Sequence, residues 1–267
     1  MDERGLDLSG YKESFVRRRL QSRIRMLGIE SLDQYNSILT KRPEEYLKLL
    51  EVLAINVTEF FRDPSLWELL SRKIIPELVK ERRYLPAKVL RFLSAGSASG
   101  EEAFSIAIAL SETLGDQLPN YSITIRALDI DQDCILKIKA GIFAPDRLKN
   151  VPPDILAKYF TREGNMYRVV PEIKRMVRAT CADLISENLP KYFDVIFCRN
   201  VLIYFTKESH SNLFLRLHSA LTPGGFLILG RTETLIGENK AQFETFDVRE
   251  RVYRRKDAHS IVRRASS

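Results

Sequence analysis

No apolar run in this 267-residue sequence approaches the roughly 20 residues needed to cross a bilayer, so a membrane-inserted protein is not expected. The opening MDERGLDLSG is charged and polar rather than a signal-peptide core, and a cytoplasmic location follows as an expectation. Cysteine is scarce: Cys134, Cys181 and Cys198 are far apart, with no CxxC pair. That excludes a disulfide framework and a thiolate zinc site, and it fits a reducing compartment. The three histidines are scattered too, so no bound metal is expected. Internal repeats and low-complexity tracts are missing, as is the GxGxxG fingerprint of a dinucleotide site.

What the chain does have is basic charge, 42 Lys and Arg against 35 Asp and Glu, a net +7. An acidic protein, a nucleic acid or an anionic lipid would each suit that balance. Its distribution is more telling. Val16, Leu20, Ile24 and Leu27 recur at helical spacing as one apolar stripe. Lys12, Arg19 and Arg23 flank the stripe, Arg18 and Arg25 lie opposite, and no acid occurs between Glu13 and Glu30. Arg17, Arg18, Arg19, Arg23 and Arg25 are therefore candidates for docking an acidic partner. The helix lacks interleaved aromatics for base stacking, which argues against nucleic acid.

Residues 1–70 read as a helical domain. Ser31 precedes a second helix that Pro43 ends, and Pro43-Glu44-Glu45 opens a third with proline and acids in its first turn. The charged stretch 71–86 reads as a linker helix. From 87 to 256 strands alternate with helices, which predicts a doubly wound α/β body on a mostly parallel sheet. Within it, 144–183, with MYRVV and MVRAT as strand-like runs, reads as a small antiparallel excursion. FETFDVRERVYRRK reads as a closing hairpin, and 257–267 as a disordered tail.

In such a sheet, ligands bind outside the carboxyl ends of the strands. Four ends carry suggestive residues. SAGSASGEE is a glycine-bearing turn whose helix starts with Glu101-Glu102, charges that would repel a pyrophosphate but suit a cationic or amino ligand. Asp129 tips the second strand, where an acid can bond both hydroxyls of a ribose. Asp131 there serves either the ribose or, by preference, the N-cap of the next helix. Asp183-Leu184 can frame an adenine, and Cys198-Arg199-Asn200 runs on to Tyr204. Together they describe a nucleoside pocket without a phosphate site.

INVTEFFRD, SAGSASGEEAFSIA, ALDID and FCRNVLIYF, in that order, resemble the CheR-type glutamate methyltransferases of chemotaxis receptors. The resemblance runs from YKESFVRRRLQSRIRMLGI to the terminal hairpin and leaves only the tail uncovered. It implies an N-terminal all-helical domain, then a Rossmann-like methyltransferase domain with a small antiparallel β subdomain inserted. The implied cofactor is S-adenosylmethionine, contacted by Asn56, Thr58, Arg62, one or both of Glu101 and Glu102, Asp129, Asp183, Leu184, Cys198, Arg199 and Asn200. Arg62 and Tyr204 would lie nearest the reacting methyl group. The implied partner is the acidic cytoplasmic methylation region of chemotaxis receptors, engaged by a monomer through the basic helix. Two departures stand out: Ala98-Ser99 and Ala103-Phe104 replace the usual residues of the glycine turn, and the excursion is short at TREGNMYRVV.

Overall fold

The computed structural model describes residues 9–53 and 58–256. Asn56 and the tail 257–267 lie outside the described residues. Helices α1 (Glu13–Met26), α2 (Leu32–Lys41) and α3 (Pro43–Leu53) come first. Ser31 caps α2 by accepting from the Gln34 amide at 3.2 Å, as its position just before an apolar-periodic run predicts. The three helices close over Ile24, Tyr35 and Leu49, with Val16, Leu20 and Leu27 packed against them.

One basic residue departs from the expected surface role. Arg23 is buried, and its guanidinium forks onto Glu45 at 2.6 and 2.8 Å, while the Tyr35 hydroxyl donates to the same carboxylate at 3.2 Å. The pairing pulls the Glu45 carboxyl below its ordinary range, and burial with Glu45 pushes the Tyr35 phenol up to about 12. Arg23 is therefore an interior tie rather than a docking residue. Arg17, Arg18 and Arg25 are exposed and Arg19 half-buried, with Arg17 bonded to Glu13 at 2.7 Å.

Residues 64–82 form continuous helix: α4 (Pro64–Leu69), a π turn (Leu70–Ile74) and α5 (Ile75–Arg82). This segment is not a linker. Leu66, Leu70, Ile74, Ile75 and Leu78 are buried in the main core, and the charges that suggested a linker lie on its outer face. Arg82 at its end pairs with the buried Asp194.

The body continues β1 (Val89–Ala95), α6 (Glu101–Leu114), β2 (Ser122–Asp129), α7 (Gln132–Ala140) and β3 (Ile142–Phe143). Then come α8 (Pro153–Tyr159), β4 (Phe160–Glu163), β5 (Met166–Val169), α9 (Pro171–Lys174) and β6 (Val177–Cys181). The chain closes with β7 (Phe193–Cys198), α10 (Lys207–Ala220), β8 (Leu221–Leu229), β9 (Phe243–Asp247) and β10 (Val252–Arg255). Seven strands form one sheet in the order β6-β2-β1-β7-β8-β10-β9. The first five are parallel, and the terminal hairpin adds two antiparallel strands. Alternate residues feed two apolar clusters, Leu90 and Phe92 one, Leu93 and Ala95 the other, as the two-residue period of a strand requires. No helix among the described residues is long and apolar enough to cross a membrane.

The antiparallel excursion is real but differently bounded. Its three strands are β3-β5-β4, so it recruits Ile142–Phe143 from before Ala144. MVRAT belongs instead to the main sheet, where Val177–Cys181 pairs parallel with Ile125–Asp129. At the other end, Pro223-Gly224-Gly225 does not stop α10, which ends at Ala220; the three residues lie inside β8.

Candidate active site

β1 lies between β2 and β7, so the chain reverses direction across the sheet there and opens a crevice at the strand ends. The loop after β1 is pinned to β2: the Gly96 and Ser97 amides both donate to the Leu128 carbonyl at 2.9 Å. Gly96 has φ +73°, and a Cβ there would meet Val201 Cγ2 at 2.6 Å, so glycine is required on both conformational and steric grounds. Ala98, at φ +47°, turns its amide onto Asp129 Oδ2 at 2.7 Å.

Asp129 is buried at 6% exposure, and its other oxygen accepts from the Asp131 amide at 3.0 Å. Burial pushes its pKa up and these hydrogen bonds pull it down. A carboxylate offers about four lone-pair sites, so two remain for outside donors such as a pair of ribose hydroxyls. Asp131 caps α7, accepting from the Asp133 amide at 2.8 Å. Asp183 closes its own turn, taking the Ile185 amide at 2.9 Å and the Ser186 hydroxyl at 2.7 Å. The Leu184 carbonyl accepts from Arg216 at 2.7 Å.

The two glutamates at the start of α6 have separate partners. Glu101 is fully buried, receives Ser99 Oγ at 3.0 and 2.7 Å, and lies 3.8 Å from Arg147, which also bonds the Thr58 carbonyl at 3.0 Å. Glu102 accepts from Ser94 Oγ at 2.8 Å and from Arg199 at 3.2 Å. Each acid is thereby tied to the segment 58–63, Glu101 through Arg147 and Glu102 through Arg199.

That segment presents Arg62. Phe61 and Asp63 on either side have φ of +52° and +59°, a strained arrangement for non-glycine residues. The surroundings over-determine it. The Phe61 amide donates to Ser105 Oγ at 3.0 Å, Trp67 Nε1 donates to the Arg62 carbonyl at 2.8 Å, and Asp63 pairs with Arg199 and, at 3.4 Å, with Arg231. The half-buried Arg62 guanidinium has no acidic partner among the described residues.

Tyr204 stands on a short turn, Leu202–Tyr204, against the Phe15 ring at 4.9 Å. Burial raises its pKa, while Arg19, Arg62 and Arg18 lower it. The turn is held by a residue the sequence did not single out. Buried Glu233 accepts three backbone amides, Asn200 at 2.8 Å, Leu202 at 2.9 Å and Gly230 at 2.7 Å, bolting the end of β7 to the end of β8. An acid four residues past an apolar strand is the signal that could have found it. Asn200 is left-handed at φ +60°. Arg199 is a buried strut whose Nη atoms serve Asp63, Glu102 and the Arg62 carbonyl. The Cys198 thiol is fully enclosed and its pKa is driven up by burial, so at this position only backbone can face a ligand.

The residues suit an adenosine-type cofactor. The crevice offers a desolvated carboxylate with spare lone pairs, and Ser97 Oγ is buried without a partner. Glu101 and Glu102 occupy the helix N-terminus that a phosphate would need.

Residues 56–252 match the CheR methyltransferase SAM binding domain, and residues 1–54 match the CheR methyltransferase all-alpha domain. The chain belongs to the CheR methyltransferase family. It is 31% identical over 244 residues to a chemotaxis protein methyltransferase of Borreliella burgdorferi, covering 90% of this chain and 86% of the relative. Against chemotaxis protein methyltransferase 2 of Vibrio cholerae it is 35% identical over 237 residues, 86% of this chain and 81% of that one. The corresponding Salmonella typhimurium protein is 33% identical over 238 residues, 86% and 78% of the two chains. The expected fold class and an S-adenosylmethionine-dependent enzyme thus both stand. The cofactor that these residues suit is S-adenosylmethionine.

Proposed function

We propose that this CheR-family enzyme methylates glutamate side chains in the cytoplasmic methylation regions of chemotaxis receptors. What supports the reading is the set of acid-tipped strand ends beside the turn that carries Tyr204, which packs against Phe15 of the basic helix α1. In this reading residues 9–53 form a docking unit and the rest of the chain the transferase. Thr58, Glu101, Glu102, Asp183, Leu184 and the Cys198-Arg199-Asn200 turn would then surround the cofactor, and Asp129 would take the ribose.

The reaction asks for orientation more than for acid–base chemistry. A glutamate carboxylate, with a reference pKa near ~4.3, is already ionised at neutral pH. S-adenosylmethionine, when bound, supplies a methyl group activated by its own sulfonium charge. The chain's residues must align the carboxylate oxygen for in-line displacement and keep water out. Arg62, without an acidic partner of its own, holds the cofactor carboxylate and closes the site. Tyr204, whose phenol burial keeps protonated, donates its hydrogen bond to the substrate carboxylate.

Transfer of labelled methyl to receptor cytoplasmic fragments tests the proposal. The expected product is a carboxyl ester that releases methanol in base. Label that survives base, or that appears only on nucleic acid, would overturn it. Tyr204→Phe should lower turnover about 10- to 100-fold, the loss of one hydrogen bond to a charged group, with little change in cofactor affinity. An equal loss of cofactor binding would move Tyr204 to the cofactor side. Reversing Arg18 and Arg25 to glutamate should raise the apparent KM for receptor at low salt, with the difference shrinking as salt rises. Unchanged methylation by that double variant at low salt would remove α1 from docking.

A further inference from the structure

Tyr11 has no part in the arrangement above. It lies in Gly10–Lys12, an extended strap leading into α1. The strap is fastened on one side to the turn that carries Tyr204: the Thr206 amide donates to the Gly10 carbonyl at 2.9 Å, and the Lys12 amide to the Tyr204 carbonyl at 3.0 Å. Tyr11 and Phe205 form an antiparallel bridge between these two bonds. Lys12 Nζ adds a bond to the Ile203 carbonyl at 2.9 Å. On the other side the strap presses on the turn begun by Asp183. A Cβ on buried Gly10 would come within 2.8 Å of Ile185 Cδ1 and 2.9 Å of Ser209 Oγ. The strap therefore links the turn after β6 to the turn after β7, and in the sheet β2, tipped by Asp129, and β1 lie between those two strands.

The Tyr11 ring is set edge-on to Phe205 at 4.9 Å, and Phe15 is parallel to it at 6.3 Å. Burial first, then the charges of Asp183 and Asp129, push the ionisation of its phenol upward, so it stays a hydrogen-bond donor at any ordinary pH. The hydroxyl is not sealed from solvent and makes no hydrogen bond among the described residues, so it is available to a ligand.

We infer that Tyr11 closes the adenosine end of the cofactor site, with its hydroxyl donating to an acceptor of the bound nucleoside between Asp129 and Asp183. The inference rests on the reading that seats the ribose at Asp129 and the adenine at Asp183-Leu184. Tyr11 enters α1 within two residues, so the segment that carries the docking surface also contributes to the cofactor pocket.

Calorimetry on the full-length protein with S-adenosylhomocysteine, and separately with adenosine, tests this. Tyr11→Phe keeps both ring contacts and loses only the hydroxyl. It should weaken both ligands about fivefold, the value of one neutral hydrogen bond, and Tyr11→Ala should weaken them further. In receptor methylation the KM for S-adenosylmethionine should rise by the same factor with kcat nearly unchanged, a split that simple loss of folding would not give. Wild-type affinity in Tyr11→Phe, alongside loss in Asp129→Ala, would show that Tyr11 only packs on Phe205 and overturn the inference while leaving the site intact. Weakened S-adenosylhomocysteine with unaltered adenosine would overturn it as well, since the contact would lie at the other end. Wild-type affinity in Asp129→Ala would mean that the pocket itself is misplaced, and the role of Tyr11 would fall with it.

Discussion

Asp129→Ala should weaken S-adenosylhomocysteine binding about 100-fold or more, a loss read directly by calorimetry in the presence of chelator. A hydrogen bond to a charged group contributes roughly 1.5–3 kcal/mol, and in this reading the carboxylate accepts from two ribose hydroxyls. Two such bonds exceed the ~1.4 kcal/mol that corresponds to each factor of ten. The substitution also releases the Ala98 and Asp131 amides, so the loop after β1 loses a tie to β2. Asp129→Asn separates the effects, because the amide oxygen can still take one of those backbone donors. An affinity within twofold of wild type for the alanine variant would make Asp129 a structural brace and place the ribose elsewhere.

The second large effect is on stability. Arg23→Ala should destabilise the three N-terminal helices by roughly 2–4 kcal/mol, because it leaves the Glu45 carboxylate buried with only the Tyr35 hydroxyl as partner. The figure sits at the low side of what a deep ion pair would give, since a three-helix unit covers its interior thinly. Hydrogen exchange across residues 13–53 reports the loss locally, and the strand amides of the body serve as the internal control. Replacing both partners, Arg23→Met with Glu45→Leu, should recover most of it.

Acid should act on the same tie. The folded pKa of Glu45 lies below its unfolded value, so its contribution is complete above about pH 4.3 and is lost as pH falls through the folded value. Helices α1–α3 should therefore loosen in acid in the wild type, whereas Arg23→Ala should slope the other way, since burial then raises the Glu45 carboxyl and protonation relieves it. A parallel pH profile for both would dismiss the pair as a source of stability.

The frame of the fold was readable because it is periodic. The stripe Val16, Leu20, Ile24 and Leu27, the cap at Ser31 and the alternation after Pro86 are local signals with local causes. What escaped depends on distance along the chain. Arg23 shares the apolar face with Leu20 and Leu27 at helical spacing, yet its partner Glu45 sits two helices later, beyond any window of periodicity. MVRAT alternates as a strand in either sheet, and only its pairing with Ile125–Asp129 decides which. Residues 71–86 show their charges in sequence, whereas the apolar face they bury becomes visible only against β1 and α6. Among the candidate residues, the acid-tipped strand ends were legible because an α/β sheet gathers them at one edge. Glu233 was not, because its job is to accept backbone amides from three places, and a backbone donor leaves no trace in a sequence.

The strap has a consequence for the order in which this chain takes shape. Lys12 and the carbonyl its ammonium grips are 191 residues apart in sequence, among the most distant contacts in the molecule. Contacts of such separation carry a large loop-closure cost and follow the local ones. On a ribosome, α1 through α3 can coil as soon as they emerge, but Gly10–Lys12 must wait until β7 and the turn after it have been made and placed. A segment synthesised well before β7 is thus completed only after it, and the crevice gains its cover once the sheet beneath it is built.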